Sequence, residues 1–355
     1  MSAISSPETA ATDTGSPLAQ SRTVTRRGTA TGAAVAVWAV AITLCIFLSL
    51  AIGSKPLSFP EVWHGLTTID ETRESIIVWQ LRIPRTALAL LVGAALAVAG
   101  VMMQALTRNP LAEPGILGVN SGAAFSVVVA IVVLGASDIT SYMWFAFIGS
   151  ALAAGFVYTI SMQRSRASDH ARLVLAGAAL SACLGALTGI MTMFNTDAFS
   201  SYRFWVIGSV AERGTAPLIA VTPFIVVGLL LALGSGPMLN ALALGDEQAT
   251  SLGLRLPLIR LLAFTSITLL CGAATAAAGP IGFVGLVVPH ALRLLVGVEQ
   301  RTLLLLSLLC GPVLVLAADI IGRTIAPPGE LEVGLVTSFV GAPMLLALIM
   351  RRRNL

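Results

Sequence analysis

Chemistry in a protein needs reactive side chains in pairs or clusters, and this sequence spaces them far apart. Its histidines, His64, His170 and His290, are each more than 100 residues from the next, so no metal-ligand spacing exists among them. Cys45, Cys183, Cys271 and Cys310 each lie inside an apolar stretch, and none forms a C-x-x-C pair. They read as small buried hydrophobes. The apolar stretches hold no pair of carboxylates suited to acid–base work. Asp319, His290 and Arg293 lie towards the ends of such stretches, and the other charges fall between them. No G-x-x-x-x-G-K-[ST] loop is present, which argues against nucleotide hydrolysis by this chain alone. A carrier driven by protons or sodium needs an ionisable group in mid-membrane, and none is visible. The polar residues that do stand out are arginines, 20 against one lysine, and a segment around Asp246 and Glu247.

The elements that must position these residues follow from composition. Of 355 residues, 56% are apolar and 11% charged, and mean hydropathy is +0.91. An ordinary soluble domain carries about 25% charged residues. A soluble globular enzyme, a disordered chain and a coiled coil are excluded on that ground. An outer-membrane barrel would alternate polar and apolar residues, whereas here the apolar runs are continuous. A run of about 20 apolar residues crosses the ~30 Å hydrocarbon layer as a helix. The expected fold is therefore an all-α integral membrane protein. Ten spans are predicted, near 33–53, 84–106, 115–135, 142–162, 171–194, 216–234, 260–279, 281–296, 302–321 and 333–350. Gly279-Pro280 divides the seventh from the eighth, which is short and could be a partial span. Residues 1–32, rich in Ser, Thr, Ala and Gly, read as a flexible cytoplasmic tail. The following run is too long for a cleavable signal core and reads as a retained first span. Residues 33–355 then form one transmembrane domain.

Ten spans put both termini on one side. If that side is the cytoplasm, it holds 14 basic residues and the outside seven, in keeping with positive-inside orientation in a cytoplasmic membrane. The charge thus speaks to topology, with no call for nucleic acid. Small residues crowd the spans, and Gly93–Gly100 matches Gly272–Gly279 at six of eight positions. Such residues let helices approach closely. The first copy runs inward and the second outward, as in an inverted repeat; chance in Ala-rich helices would also give it.

The longest internal cytoplasmic loop, 235–259, has a pattern of its own. Gly245 divides it into two short helical pieces. Asp246 and Glu247 suit the start of the second, at the positive end of the helix dipole, and Gly253 suits its stop. A helix pair outside the membrane is a knob for a groove on a soluble partner; a solvated linker is the plain alternative.

Gly245-Asp246-Glu247-Gln248-Ala249 with Leu252-Gly253 resembles the coupling segment of the iron–siderophore/cobalamin (FecCD-type) permeases, the membrane subunits of binding-protein-dependent ABC importers. Gln80-Leu81-Arg82-Ile83-Pro84-Arg85, Asn109-Pro110-Leu111-Ala112-Glu113-Pro114-Gly115, Trp205 with Gly208-Ser209, Gly279 to His290 with Arg293, Ala318-Asp319 with Arg323, and Gly341-Ala342-Pro343 agree, in order. The resemblance covers about residues 33–355.

It implies a type II ABC importer permease of about ten spans, paired with a second permease chain, identical or related, around a central path. Two ATPase subunits would bind inside and an extracytoplasmic binding protein outside, moving a ferric siderophore. ATP and magnesium would be bound by the ATPase, with no cofactor in this chain. Gly245, Asp246, Glu247, Gln248, Ala249, Leu252 and Gly253 would couple to the ATPase. Arg82, Arg85 and Arg323 would pair with carboxylates of the binding protein; anchoring at lipid headgroups is the alternative. Asn109, Pro110, Glu113, Pro114 and Gly115 form a Pro-braced turn with a conformational or structural role. His290, after Pro289, is expected to satisfy backbone carbonyls freed at a helix break. Cobalamin or haem is the alternative ligand within the same family. An ion-coupled carrier is a further reading, and a membrane enzyme would need a polar cluster that the sequence lacks. Two features depart from the family pattern: Glu332 stands where Pro is usual, and the segment between spans five and six is unmatched beyond Trp205, Gly208 and Ser209.

Overall fold

The computed structural model describes residues 17–53, 57–70, 72–136, 138–161, 169–326 and 329–353; side chains of 17–31, 169–171 and 351–353 lie outside the description. The first sixteen residues of the expected tail, with Lys55, Arg164, Arg166 and the side chains of Arg22, Arg26, Arg27 and Arg351 to Arg353, therefore lie outside the described residues.

Among the described residues every regular element is helical. In chain order they are α1 (Pro17–Ala51), α2 (Phe59–Thr67), α3 (Arg73–Ile76), a π-helical turn (Ile77–Arg82), α4 (Ile83–Thr107), a 3₁₀ turn (Pro114–Leu117), α5 (Val119–Leu134), α6 (Ile139–Ser161), α7 (Asp169–Met193), α8 (Thr196–Val206), α9 (Thr215–Gly234), α10 (Gly236–Ala243), α11 (Asp246–Ser251), α12 (Leu256–Ala278), α13 (Val284–Val296), α14 (Gln300–Ile325) and α15 (Val333–Arg353). Among the described residues, eight stretches are long and apolar enough to cross a membrane, carried by α1, α3 to α4, α6, α7, α9, α12, α14 and α15, and two shorter apolar helices are α5 and α13. Each of the ten windows read from the sequence lands on one of them. The chain is a multi-pass membrane protein.

Helices are the only open-ended way to pair every backbone group in hydrocarbon. Small residues then decide which helices touch. A side chain on Gly93 would come within 2.7 Å of the Gly311 backbone on α14, and one on Gly100 within 2.1 Å of Gly285 O on α13. The Gly93–Gly100 stretch is buried, as is Gly272–Gly279. The two stretches occupy reciprocal places. α4 packs on α13 and α14, while α12 packs on α5 and α6. Exchanging α4 with α12, α13 with α5 and α14 with α6 preserves those pairings, as an inverted repeat requires.

The reciprocity extends to the two short helices, which begin inside the bundle. Gly122, near the start of α5, touches Gly149, ten residues and ~15 Å into α6. Thr275 of α12 donates to Asn120 Oδ1 at 3.1 Å. Gly285, at the start of α13, lies against Gly100, well inside α4. So 108–118 and 279–283 are breaks that reach into the bundle, and α13 is the partial span that Gly279-Pro280 foreshadows.

Candidate functional site

Two polar clusters lie at opposite ends of α4, with a smaller one between them. At the first end, Pro84 lacks the N–H that would continue a regular helix, and the turn before it widens into the π form. Arg82 and Arg85 project there towards α1 and α14. Arg82 Nη1 donates to the carbonyls of Leu50 and, at 2.9 Å, Ala51. Arg323 Nη1 donates to Ser49 O at 2.9 Å and Ile52 O at 3.1 Å. These carbonyls end α1 and have no intrahelical donor; two guanidinium groups supply it. Arg323 also holds Asp319, one turn back on α14, whose other flank receives Arg85 at 2.8 Å. Arg85 reaches Glu330 as well, at 2.7 Å.

The three arginines expected at an outer docking surface are thus brought together, but two are not on a surface. Arg82 is 5% exposed, Arg323 3% and Asp319 2%. Arg82 and Arg323 line the wall of a cavity of about 540 Å³ with Arg85, Arg213, Glu212 and Glu330. Arg213 is the member that sequence reading missed. It belongs to the unmatched segment between spans five and six, and its Nε donates to Ser209 O at 3.0 Å. Burial pushes its guanidinium pKa down. The carboxylate of Glu330 serves Arg85, and the departure at Glu332 lies beside it, half-buried.

In the middle, the two breaks meet. Glu113 Oε1 accepts from the Phe283 N–H at 2.5 Å. Phe283, which caps α13, is left-handed at φ +68, unusual without glycine. Asn109 and Pro110 make the expected turn: Asn109 Oδ1 accepts from Leu111 N at 3.0 Å and its carbonyl from Ala112 N at 3.0 Å. Pro114 and Gly115 open the 3₁₀ turn. Pro289 inside α13 cannot donate to Gly285, four residues back. Gln104 of α4 reaches that carbonyl, at 3.3 Å, and accepts from Arg293. His290, expected to serve such a carbonyl, is half-buried one residue beyond Pro289. Sequence reading passed over Gln104 and treated Glu113 only as part of a turn. Neither has a local signal, because each acts on a residue more than 150 positions away.

At the other end of α4 lies the cap made by α10 and α11. Gly245 joins them at φ +122, and Gly253 ends α11 at φ +79, as the loop pattern predicts. Asn240 anchors α10 to the start of α14, donating to Glu299 at 2.8 Å and accepting from Gln300 N at 2.7 Å. The seven expected coupling residues divide. Ala249 is 0% exposed, and Asp246 is engaged by Arg108 and by Arg260 at 2.8 Å. Glu247, Gln248, Leu252 and Gly253 face outwards. Leu252 is 65% and Leu244 63% exposed, an apolar pair beside a carboxylate and an amide.

The FecCD transport family profile matches residues 41–351. The chain is 42% identical over 306 residues to the ferric enterobactin transport system permease protein FepD of Escherichia coli, covering 86% of this chain and 91% of that one. It is 39% identical to the hemin transport system permease protein HmuU of Yersinia pestis, covering 88% and 95%. It is 38% identical to the vitamin B12 import system permease protein BtuC of Vibrio cholerae, covering 89% and 96%. A solved metal-chelate type ABC transporter in an inward-facing conformation superposes with a TM-score of 0.78 at 30% identity, covering 88% of this chain and 97% of that one. Reciprocal helix pairing, paired breaks and an exposed helical cap are here the properties of a transport subunit, and the chain belongs to the FecCD transport family.

Proposed function

We propose that this chain is the permease through which a binding-protein-dependent ABC importer moves a ferric siderophore across the cytoplasmic membrane, both termini inside. The observation that carries this is the division of the α10–α11 cap. Ala249 packs inwards while Leu244, Glu247, Gln248 and Leu252 are presented outwards. A short amphipathic knob of this kind fits a groove on a soluble ATPase. Two ATPase subunits would serve a pair of permeases. The exposed face of α7 offers Gly185 and Gly189 with nothing within 4 Å of either, which suits close packing against a second permease chain within the lipid. The arginine-lined cavity lies at the end of α4 opposite the cap and is where an external binding protein would dock. Arg85 and Arg213 act there directly; the buried Arg82 and Arg323 contribute their field and hold the rim in shape. Such fields set register and on-rate more than affinity. The ferric chelate is favoured because its permeases include the FepD relative.

The test is uptake by proteoliposomes holding the chain, its ATPase and its binding protein. Iron-loaded siderophore should enter only with ATP on the cap side. Uptake of haem or cobalamin in its place would reassign the ligand. Concentration of a solute by the chain alone under a proton or sodium gradient would overturn the reading.

A further inference from the structure

Asp246 opens α11, and although its side chain is 38% exposed, both of its carboxylate oxygens are engaged within the chain. One carboxylate oxygen accepts from Arg108 Nη2 and the other from Arg260 Nη2 at 2.8 Å. Arg108 is the residue that ends α4. Its backbone is left-handed at φ +48, where glycine is the usual choice at a helix C-terminus. A non-glycine residue held there is kept for its side chain, and both arms of this one are used on the cap: Nε donates to Leu242 O of α10 at 3.0 Å, and Nη2 to Asp246. Arg260 lies near the start of α12. Asp246 therefore joins the cap to α4 and α12 at once, the two buried helices that exchange places in the repeat. Each of them leads into a break, 108–118 and 279–283, and the breaks meet at Glu113 and Phe283.

We propose that Asp246 is a positioning residue internal to the permease: its carboxylate is a fork that passes movement of the α10–α11 cap to α4 and α12 together, and it makes no contact with the ATPase. This rests on the reading of the cap as the ATPase-facing element and divides that element by role. Glu247, Gln248 and Leu252 grip the partner, and Asp246 transmits. A single carboxylate shared by two arginines suits the task, because both helices must follow the cap in the same step if the break that begins at Arg108 and the break at the far end of α12 are to stay joined.

The experiment uses the full importer in proteoliposomes and measures ligand transported per ATP hydrolysed, with ATPase retention on the purified permease as the second readout. Asp246→Asn should leave ATPase retention unchanged and lower transport per ATP at least tenfold. Arg108→Gln with Arg260→Gln should do the same. Adding Asp246→Asn to that pair should cost nothing further, because the carboxylate acts only through the two arginines. Arg108→Lys with Arg260→Lys should keep at least half of the wild-type coupling, and it decides the matter should Asp246→Asn fail to assemble. Loss of ATPase from Asp246→Asn, a further tenfold fall in the triple variant, wild-type coupling in Asp246→Asn, or full loss in the lysine pair would each overturn the proposal. Failure of the underlying family-level function would look different: the wild-type chain would retain no ATPase.

Discussion

The two ends of α4 use the same chemistry, arginine on carboxylate, under opposite conditions. At the Arg82 end the group is buried: Arg82 and Arg323 donate to the last turn of α1, and Asp319 is shared by Arg85 and Arg323. At the Arg108 end one carboxylate meets two arginines, and all three side chains are between a fifth and two fifths exposed. Burial makes the first cluster costly to break, since a partner left alone is an uncompensated charge out of water. Exposure makes the second cheap to open and re-form, since water takes over each hydrogen bond. A transport subunit needs both: a fixed frame where one face must hold shape, and a joint that yields where a motor pushes. Identity of residue type says nothing about which is which; solvent access does.

The largest effect is expected from breaking the fixed end. Arg323→Ala would leave Asp319 with Arg85 alone and strip two carbonyls at the end of α1 of a donor. A cost of about 3–5 kcal/mol is expected, read as a fall in the melting temperature of the purified chain in detergent. The Asp319→Asn and Arg323→Gln pair should lose less than Arg323→Ala, and equal losses would show that the charge balance is unimportant there. Next comes the packing that separates the two clusters. Gly100→Leu drives a side chain into the Gly285 backbone, and overpacking of this kind costs about 1–3 kcal/mol. Unaltered melting would mean that α13 can shift freely against α4.

The cap should respond in function and hardly at all in stability. Leu252→Ala with Glu247→Ala should change stability by less than about 0.5 kcal/mol, as exposed positions do, while reducing ATPase retention on the purified permease. Full retention would move the partner surface elsewhere. Salt sharpens the contrast between the ends. The Debye length shrinks from about 10 Å at 0.1 M to about 3 Å at 1 M. Amide exchange in α11 should quicken over that range while exchange at the end of α1 stays constant; equal responses would contradict the division into joint and frame.

The smallest effect concerns a carboxylate in neither cluster. Asp138 precedes α6, and the hydroxyls of Ser141 and Thr140 hold its pKa down to about 2. Its stabilisation is fully present above the ordinary carboxylate range and is lost as pH falls through about 2. Amide exchange in the first turn of α6 should rise between pH 4 and pH 2 in wild type and not in Asp138→Asn.

Much of the architecture was legible in the order of residues. A membrane helix announces itself through its length and hydropathy, both local properties, so all ten apolar helices were found and α13 was marked as short. Gly245 and Gly253 announced the cap in the same way, through backbone conformations that few other residues tolerate. The small residues of Gly93–Gly100 and Gly272–Gly279 signalled close packing and a repeat. What stayed hidden was which side chains face which. Arg82 and Arg323 read as outward charges because their sequence neighbours are external, yet each is buried by α1, whose contact with α14 has no trace in local pattern. Glu113 read as part of a turn because nothing nearby shows that the turn re-enters the bundle and meets Phe283. Asp246 looked like its neighbour Glu247. Periodicity and composition report one helix at a time, and they determined the order and approximate place of the ten apolar helices, while the short helices α2, α3 and α8 went unread. Burial of a charge and the identity of its partner depend on helices far apart in the chain meeting in three dimensions, and only the packed bundle decided them.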